Sequence, residues 1–332
     1  MAISETARRN HEEHFPGHTS TLAVTDPELI EVFDNFAFDE VLQHGNLDAR
    51  TRLMVQLASM IACQALREYR VMLGAALIVG VTPVEAKEIA YQAVPYVGMA
   101  KVYDFLHATN EVLTERGVQL PLPSQATTTT ETRFEKGREV QGQIIGADRV
   151  EKLYASASED QMHIQRYLSA NCFGDHVSRG GIDIPTRELL TLSMLVSLGG
   201  CDAQVKGHVS ANLHVGNDRQ RLIDVITQLV PFSDAAGAPL KNGTQCRPRS
   251  GDAWLPAGSI PGAKSGEQPP RSTEGLLKPA VTSYPPNCGV SIHLNQAPAE
   301  SEESAVTSVR YQVLDIKAMN AFVSKHPQQQ VQ

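Results

Sequence analysis

The chain repeats itself, and this repetition limits its fold more than any other feature of its 332 residues. Similar short groups recur in the same order in two blocks, 135 residues apart at the first match and 136 at the later ones. The matches pair residues 51–52 with 186–187, 79–80 with 215–216, and 92, 95 and 96 with 228, 231 and 232. Because three matches stay in register with a shift of one residue, the sequence predicts a tandem duplication.

Both blocks have the apolar spacing of helices. Between residues 26 and 116, apolar side chains recur three and four positions apart and are separated by Ser, Thr, Asp and Gly, which is typical of helices with one buried face. Thr82 and Glu85 have the spacing of a capping box, with Pro83 in the first turn, and so predict a helix start. A second helical block follows from about residue 133. We therefore predict an all-α fold built from two copies of one helical domain.

Composition divides the chain into four predicted segments. The first domain covers residues 26–116 and the second 133–242, and a polar linker rich in Pro and Thr, residues 117–132, joins them. Beyond the second domain the composition changes, because residues 244–305 hold nine of the 19 prolines together with many Gly and Ser. We predict that residues 243–332 form an irregular Pro/Gly-rich tail.

Charge and hydropathy exclude several classes of protein. The net charge of −8 and the absence of a Lys/Arg run argue against a nucleic-acid partner. No apolar run approaches the ~20 residues that span a bilayer, so we expect no membrane partner. The N-terminus lacks the apolar core of a secretory signal, and five unpaired-looking cysteines favour a reduced, cytoplasmic setting. No metal-ligand spacing or phosphate loop appears, so we expect no metal and no cofactor.

The second block contains a thiol and an imidazole on one helical face. Cys201 and His208 are seven residues apart, which is nearly two helical turns and about 10 Å along the axis. A direct hydrogen bond between them is therefore not expected, and Gln204 lies between them on the same face. Cys201 follows two glycines, and we expect it in the first turn of its helix, where the helix N-terminus favours a thiolate.

Two charged residues on the preceding helix complete the candidate site. Glu188 could reach His208 and orient it or share a proton with it, and Arg187 is a fixed cation suited to a substrate carboxylate. The candidate catalytic residues are thus His208, Glu188 and Cys201, and the candidate substrate-binding residues are Arg187 and Gln204. Each also has an ordinary interpretation, because an apolar helix commonly holds a Cys or His as a structural group.

The first copy lacks the chemistry of the second. Met72 stands where the second copy has His208, and Leu53 or Arg52 stands where it has Glu188. The first copy is therefore either structural, or it supplies side chains of its own to a shared pocket. The candidates for that contribution are Arg67, Glu68 and Tyr69.

These segments together resemble the carboxymuconolactone decarboxylase family, which includes the alkylhydroperoxidase D-like proteins. The resemblance rests on residues 134–140, 185–192, 207–208 and 212–216, and on a Gly-x-Pro-x-x-Asn-like end at 236–242. It implies an all-α fold that assembles as trimers or hexamers, with pockets near subunit interfaces. A chain with two copies is accordingly expected to form a homotrimer or another homo-oligomer.

The resemblance implies two possible chemistries. The decarboxylase branch acts on an anionic lactone of aromatic catabolism, and His208 matches the histidine of that branch, so a small anionic substrate is expected. The peroxidase branch uses a Cys-x-x-Cys pair, but the second Cys is Gln204 here, which argues against a dithiol cycle. An acid–base decarboxylase, a thiol peroxidase acting through Cys201, and a non-catalytic helical scaffold stay open as alternatives.

Overall fold

The computed structural model describes residues 2–233, and helices make up its regular secondary structure. Thirteen of them are α-helices: α1 Glu5–His14, α2 Leu22–Thr25, α3 Pro27–Asn35, α4 Ala49–Cys63, α5 Leu66–Ile78, α6 Pro83–Val97, α7 Met99–Glu115, α8 Arg133–Ile145, α9 Ala147–Ser156, α10 Met162–Tyr167, α11 Ile184–Leu198, α12 Asp202–His214 and α13 Arg219–Leu229. Two π-helical stretches, Phe36–Glu40 and Leu168–Val177, and two 3₁₀ turns, Val41–Gln43 and Glu159–Gln161, complete this part. No strand occurs among the described residues, so the all-α prediction is confirmed there.

Equivalent helices begin at equivalent places in the two blocks. Helix α11 begins 135 residues after α4, and α12 and α13 begin 136 residues after α5 and α6. Asp48 and Asp183 cap α4 and α11 in the same way, each accepting a 2.8 Å hydrogen bond from the backbone N–H three residues later. The predicted capping box of Thr82 and Glu85 is present at the start of α6. The predicted tandem duplication is therefore confirmed.

The two copies pack reciprocally on each other. Helix α4 lies against α11, while α6 of the first copy contacts α11 and α13 of the second contacts α4. The buried apolar side chains of both copies form one core, which includes Leu57, Ile61, Ile89, Leu189, Leu192 and Leu222. All described residues belong to one compact unit. The two predicted domains thus share a hydrophobic core, which places side chains of each copy beside the helices of the other.

A close contact between α8 and the second π-helical stretch gives the second copy a smaller core. A Cβ atom on Gly137 would lie 1.8 Å from the Ser169 carbonyl oxygen, and one on Gly174 would lie 2.1 Å from that of Arg133. Only glycine allows backbones to approach this closely. The approach buries Cys172 beside Ile144 and brings it towards the partly buried Tyr96 of the first copy.

The segment between the two copies is attached to the second copy. Residues 117–132 contain no helix before α8 begins at Arg133. The backbone N–H of Gly180 donates to the Gln125 carbonyl at 2.9 Å, and the Thr127 hydroxyl donates to the Ser178 carbonyl at 3.0 Å. The predicted end motif and tail, residues 236–332, lie outside the described residues. Within the described part, no helix combines the length and apolar character needed to cross a membrane.

Candidate active site

His208 and Glu188 form a hydrogen-bonded pair where α12 packs on α11. The Nδ1 atom of His208 lies 2.8 Å from Oε2 of Glu188. Glu188 is buried, with 1% of its side chain exposed, whereas His208 keeps 18% of its side chain exposed. Because the carboxylate accepts the proton on Nδ1, it fixes the ring orientation and leaves Nε2 as the nitrogen that can exchange a proton with a substrate. The structure therefore brings these two predicted residues together.

An asparagine pair holds the two helices in this arrangement. The side-chain amide of Asn212 lies 3.0 Å from the Glu188 carbonyl oxygen and 2.8 Å from that of His208. Asn217 in turn donates to the Asn212 side chain and to the Pro185 carbonyl, both at 2.9 Å. Buried side-chain amides with such partners fix a local geometry, since breaking one bond leaves a buried polar group unpaired. The Glu188–His208 pair consequently has a rigid frame.

The first copy contributes Tyr96, which the sequence analysis did not assign to the site. Its ring stands nearly perpendicular to that of His208, with the ring centres 5.8 Å apart. The Tyr96 hydroxyl is buried and meets no partner at strict hydrogen-bonding geometry within the described residues, although Thr191 and Cys172 lie close enough to interact with it. Burial raises the pKa of Tyr96 well above its usual value, and the nearby Cys172 and Glu188 add to this rise. The site is therefore composed of side chains from both copies.

Cys172 is the second residue that sequence reasoning left without a role. It lies in the π-helical stretch, next to Tyr96, and its burial raises the pKa of its thiol to about 12. Neither residue has a motif of its own. Only the repeat could have drawn attention to Tyr96. It pairs Tyr96 with Phe232, which shows that one copy has a hydroxyl where the other has none.

Cys201 does not have the environment expected for a reactive thiolate. It precedes the first residue of α12, and its thiol donates to the Leu195 carbonyl at 3.0 Å. Burial, with a contribution from the negative charge of Asp202, raises the pKa of Cys201. The expectation that the helix N-terminus lowers this pKa is wrong, because desolvation opposes the charged form and the neighbouring carboxylate repels it.

The hydrogen bonds of the Arg187 guanidinium go to other residues of the protein, so none of its groups is left for a substrate. Arg187 is fully buried, and its guanidinium donates to Glu88 at 3.0 Å and to Gln92 at 2.8 Å. Further donations go to the carbonyl oxygens of residues 179, 180 and 182. The predicted role of Arg187 in binding a substrate carboxylate is corrected on this ground. Gln204 is half-buried on α12, four residues before His208.

The equivalent position in the first copy is closed by apolar side chains. Met72 and Leu53 are each 2% exposed and line a small cavity with Phe15, Phe38 and Phe232. Arg52 donates a 2.9 Å hydrogen bond to Nε2 of the buried His14 at its side. The first copy thus has no Glu–His pair at this place, as its sequence indicates.

Arg67, Glu68 and Tyr69 do not reach the His208 site by any described contact. Arg67 and Glu68 are exposed, and the hydroxyl of the buried Tyr69 lies 2.8 Å from that of Thr109 in the first copy. Tyr96 is the residue that the first copy contributes instead. Among the described residues, no group of His, Cys, Asp and Glu side chains is arranged to hold a metal ion.

Comparisons with known proteins agree with the two-copy architecture. Residues 27–111 and 163–239 each match the profile of the Carboxymuconolactone decarboxylase family. A 4-carboxymuconolactone decarboxylase from Acinetobacter baylyi (strain ATCC 33305 / BD413 / ADP1) is 27% identical over 112 residues. That similarity covers 34% of this chain and 81% of the relative. One copy of the repeat is therefore about as long as the aligned part of this relative.

Proposed function

We propose that this chain, a member of the carboxymuconolactone decarboxylase family, is a carboxy-lyase that acts on a small carboxylated lactone or a related anionic metabolite. The Glu188–His208 pair is the observation that carries the proposal. A buried carboxylate holding a partly exposed imidazole is an arrangement suited to proton transfer. The similarity to a 4-carboxymuconolactone decarboxylase supports the same class of reaction.

The proposed reaction breaks one carbon–carbon bond and moves one proton. The bond between the lactone and its carboxylate breaks, carbon dioxide leaves, and the bonding electron pair stays on the lactone. That pair is delocalised over the conjugated lactone, and protonated His208 delivers the proton on Nε2 to the far carbon of this anion, so that the ring double bond moves to the carbon that lost carbon dioxide and an enol-lactone forms. Glu188 orients the ring and stabilises its positive charge before the transfer. His208 regains a proton from solvent, so the cycle closes without a redox step.

A thiol peroxidase has less support. That activity needs a thiolate, and both the bond of the Cys201 thiol to the Leu195 carbonyl and the burial of Cys201 favour the neutral thiol. We assign Cys201 to the surroundings of the site. The homo-oligomeric state and the small anionic substrate are parts of the same proposal and follow from the family resemblance.

Carbon dioxide release from carboxymuconolactone tests the proposed function. The wild-type chain should release carbon dioxide, and His208→Ala should lower the rate at least about a hundredfold, because it removes the proton donor. His214→Ala is the matched control, since His214 is an exposed histidine at the end of the same helix. Turnover that is absent in the wild type, or equal in the wild type and His208→Ala, would reject the proposal.

A further inference from the structure

A cleft outside the His208 site lies between the first copy and the segment that joins the copies. It has a volume of about 500 Å³ and is bounded by α6, by Asn110 of α7, by residues 120–125 and by Arg179. A cleft of this size accommodates a small organic molecule. None of Glu188, Cys201 and His208 lines it, so it is separate from the proposed site of decarboxylation.

Residues 120–125 form one wall of this cleft, and contacts with Gly180 fix their position. Gln125 accepts the hydrogen bond from the Gly180 backbone, and a Cβ atom on Gly180 would lie 2.8 Å from Oε1 of Gln125. The segment is thus packed directly on the loop that carries Arg179. A wall fixed in this way preserves the shape of the cleft, and a preformed cleft binds with less loss of entropy than one that must be ordered.

The cleft has more positive than negative charge. Arg179 and the buried Arg187 behind it share one carboxylate, Glu88, at 2.9 and 3.0 Å. Lys87 is an additional cation that lines the cleft, four residues before Tyr91 on the same face of α6. Its ammonium donates to Asn110 at 2.6 Å and lies 5.2 Å from the Tyr91 ring centre, with no carboxylate partner in the described part. Lys87 therefore has hydrogen-bond donors and charge available for an anion.

Beside the polar Asn110, Ser124 and Gln125, the cleft has an apolar lining, which favours an anion with an apolar body. The ring of Tyr91 faces the cleft together with the side chains of Leu120, Leu122 and two prolines of the wall. Inorganic anions gain nothing from such surfaces, whereas a carboxylate attached to a planar or aliphatic body gains from both the charge and the apolar area. We propose that this cleft is a second ligand site, which binds a small organic monocarboxylate through Lys87.

Fluorine NMR of 4-fluorobenzoate with the full-length chain tests this site. The signal of the probe should broaden with wild-type protein, and Lys87→Gln should weaken binding about tenfold or more, because it removes a charge-assisted hydrogen bond. Lys101→Gln, which alters an exposed lysine of α7 outside the cleft, should leave binding unchanged. The neutral 4-fluorobenzamide should bind at least about tenfold more weakly than the acid.

His208→Ala separates this proposal from the proposed decarboxylase activity. Binding of 4-fluorobenzoate should be the same in His208→Ala as in the wild type, even if that variant or the wild type shows no turnover. The cleft proposal is overturned if the probe does not bind, if Lys87→Gln binds it as well as Lys101→Gln does, or if the loss of binding follows His208→Ala.

Discussion

The buried hydroxyl of Tyr96 lowers the stability of the folded chain. It is buried and meets no partner at strict hydrogen-bonding geometry, although Thr191 and Cys172 lie close enough for a weak interaction, and an incompletely paired buried hydroxyl costs up to about 1–3 kcal/mol relative to its hydrated state. The ring itself packs on His208 and is useful whether or not it carries the hydroxyl. The equivalent residue of the other copy, Phe232, has no such atom. The stability of the fold alone therefore does not explain the hydroxyl.

Tyr96→Phe should leave the free energy of unfolding unchanged or raise it by about 1 kcal/mol, because the change removes a buried hydroxyl that lacks a partner at strict hydrogen-bonding geometry. Tyr69→Phe is the matched control: the Tyr69 hydroxyl is paired with Thr109 at 2.8 Å, and its loss should cost about 1 kcal/mol. Chemical denaturation of both variants measures the difference. A Tyr96→Phe protein that is destabilised as much as Tyr69→Phe would show that the Tyr96 hydroxyl is paired in solution.

At the scale of helices, Arg187 joins α11 of the second copy to α6 of the first. It bonds to Glu88 and Gln92, both on α6, while Gln92 donates back to the Arg187 carbonyl at 2.7 Å. A buried cation with all of these partners connects the two copies through one side chain. Arg52, the equivalent residue of the first copy, has His14 as its hydrogen-bond partner and no ion pair within the described residues.

Arg187→Met should lower the free energy of unfolding by about 3 kcal/mol, because it leaves part of the Glu88 charge uncompensated in the core. Arg52→Met should cost less, about 1 kcal/mol, since it removes a hydrogen bond without stranding a charge. Thermal or urea unfolding of the two variants measures these two losses of free energy. Equal losses, or a larger loss for Arg52→Met, would contradict the structural role given to Arg187.

These helices show which parts of the fold are readable from sequence. The capping box at Thr82 and the two repeated blocks were predicted, because caps and periodicity are local patterns. Glu188 was correctly placed near His208 because α11 and α12 are neighbours in sequence. The surroundings of Arg187 and His208 could not be predicted, since Glu88 and Tyr96 come from the other copy, about a hundred residues away.

Across the described part of the molecule, the two copies differ in the side chains at equivalent places: polar in the second copy and mostly apolar in the first. The site in the second copy combines its own Glu188 and His208 with Tyr96 of the first copy. In the first copy, Met72, Leu53 and aromatic side chains fill the equivalent space. Each copy nevertheless covers the site of the other, with Tyr96 in one direction and Phe232 in the other. The duplication therefore explains why the His208 site and the cavity around Met72 have similar positions. The polar residues at the His208 site explain its proposed chemistry.

Comparing Glu188→Gln with Met72→Leu in the carboxymuconolactone assay tests most directly whether proton chemistry belongs to the second copy. Glu188→Gln keeps the shape of the side chain but removes the charge that stabilises protonated His208, so kcat/KM should fall about a hundredfold. Met72→Leu changes the residue equivalent to His208 and should leave kcat/KM within about twofold of the wild type, since volume-conserving apolar changes are tolerated. An unchanged rate in Glu188→Gln, or an equal loss in Met72→Leu, would contradict the account.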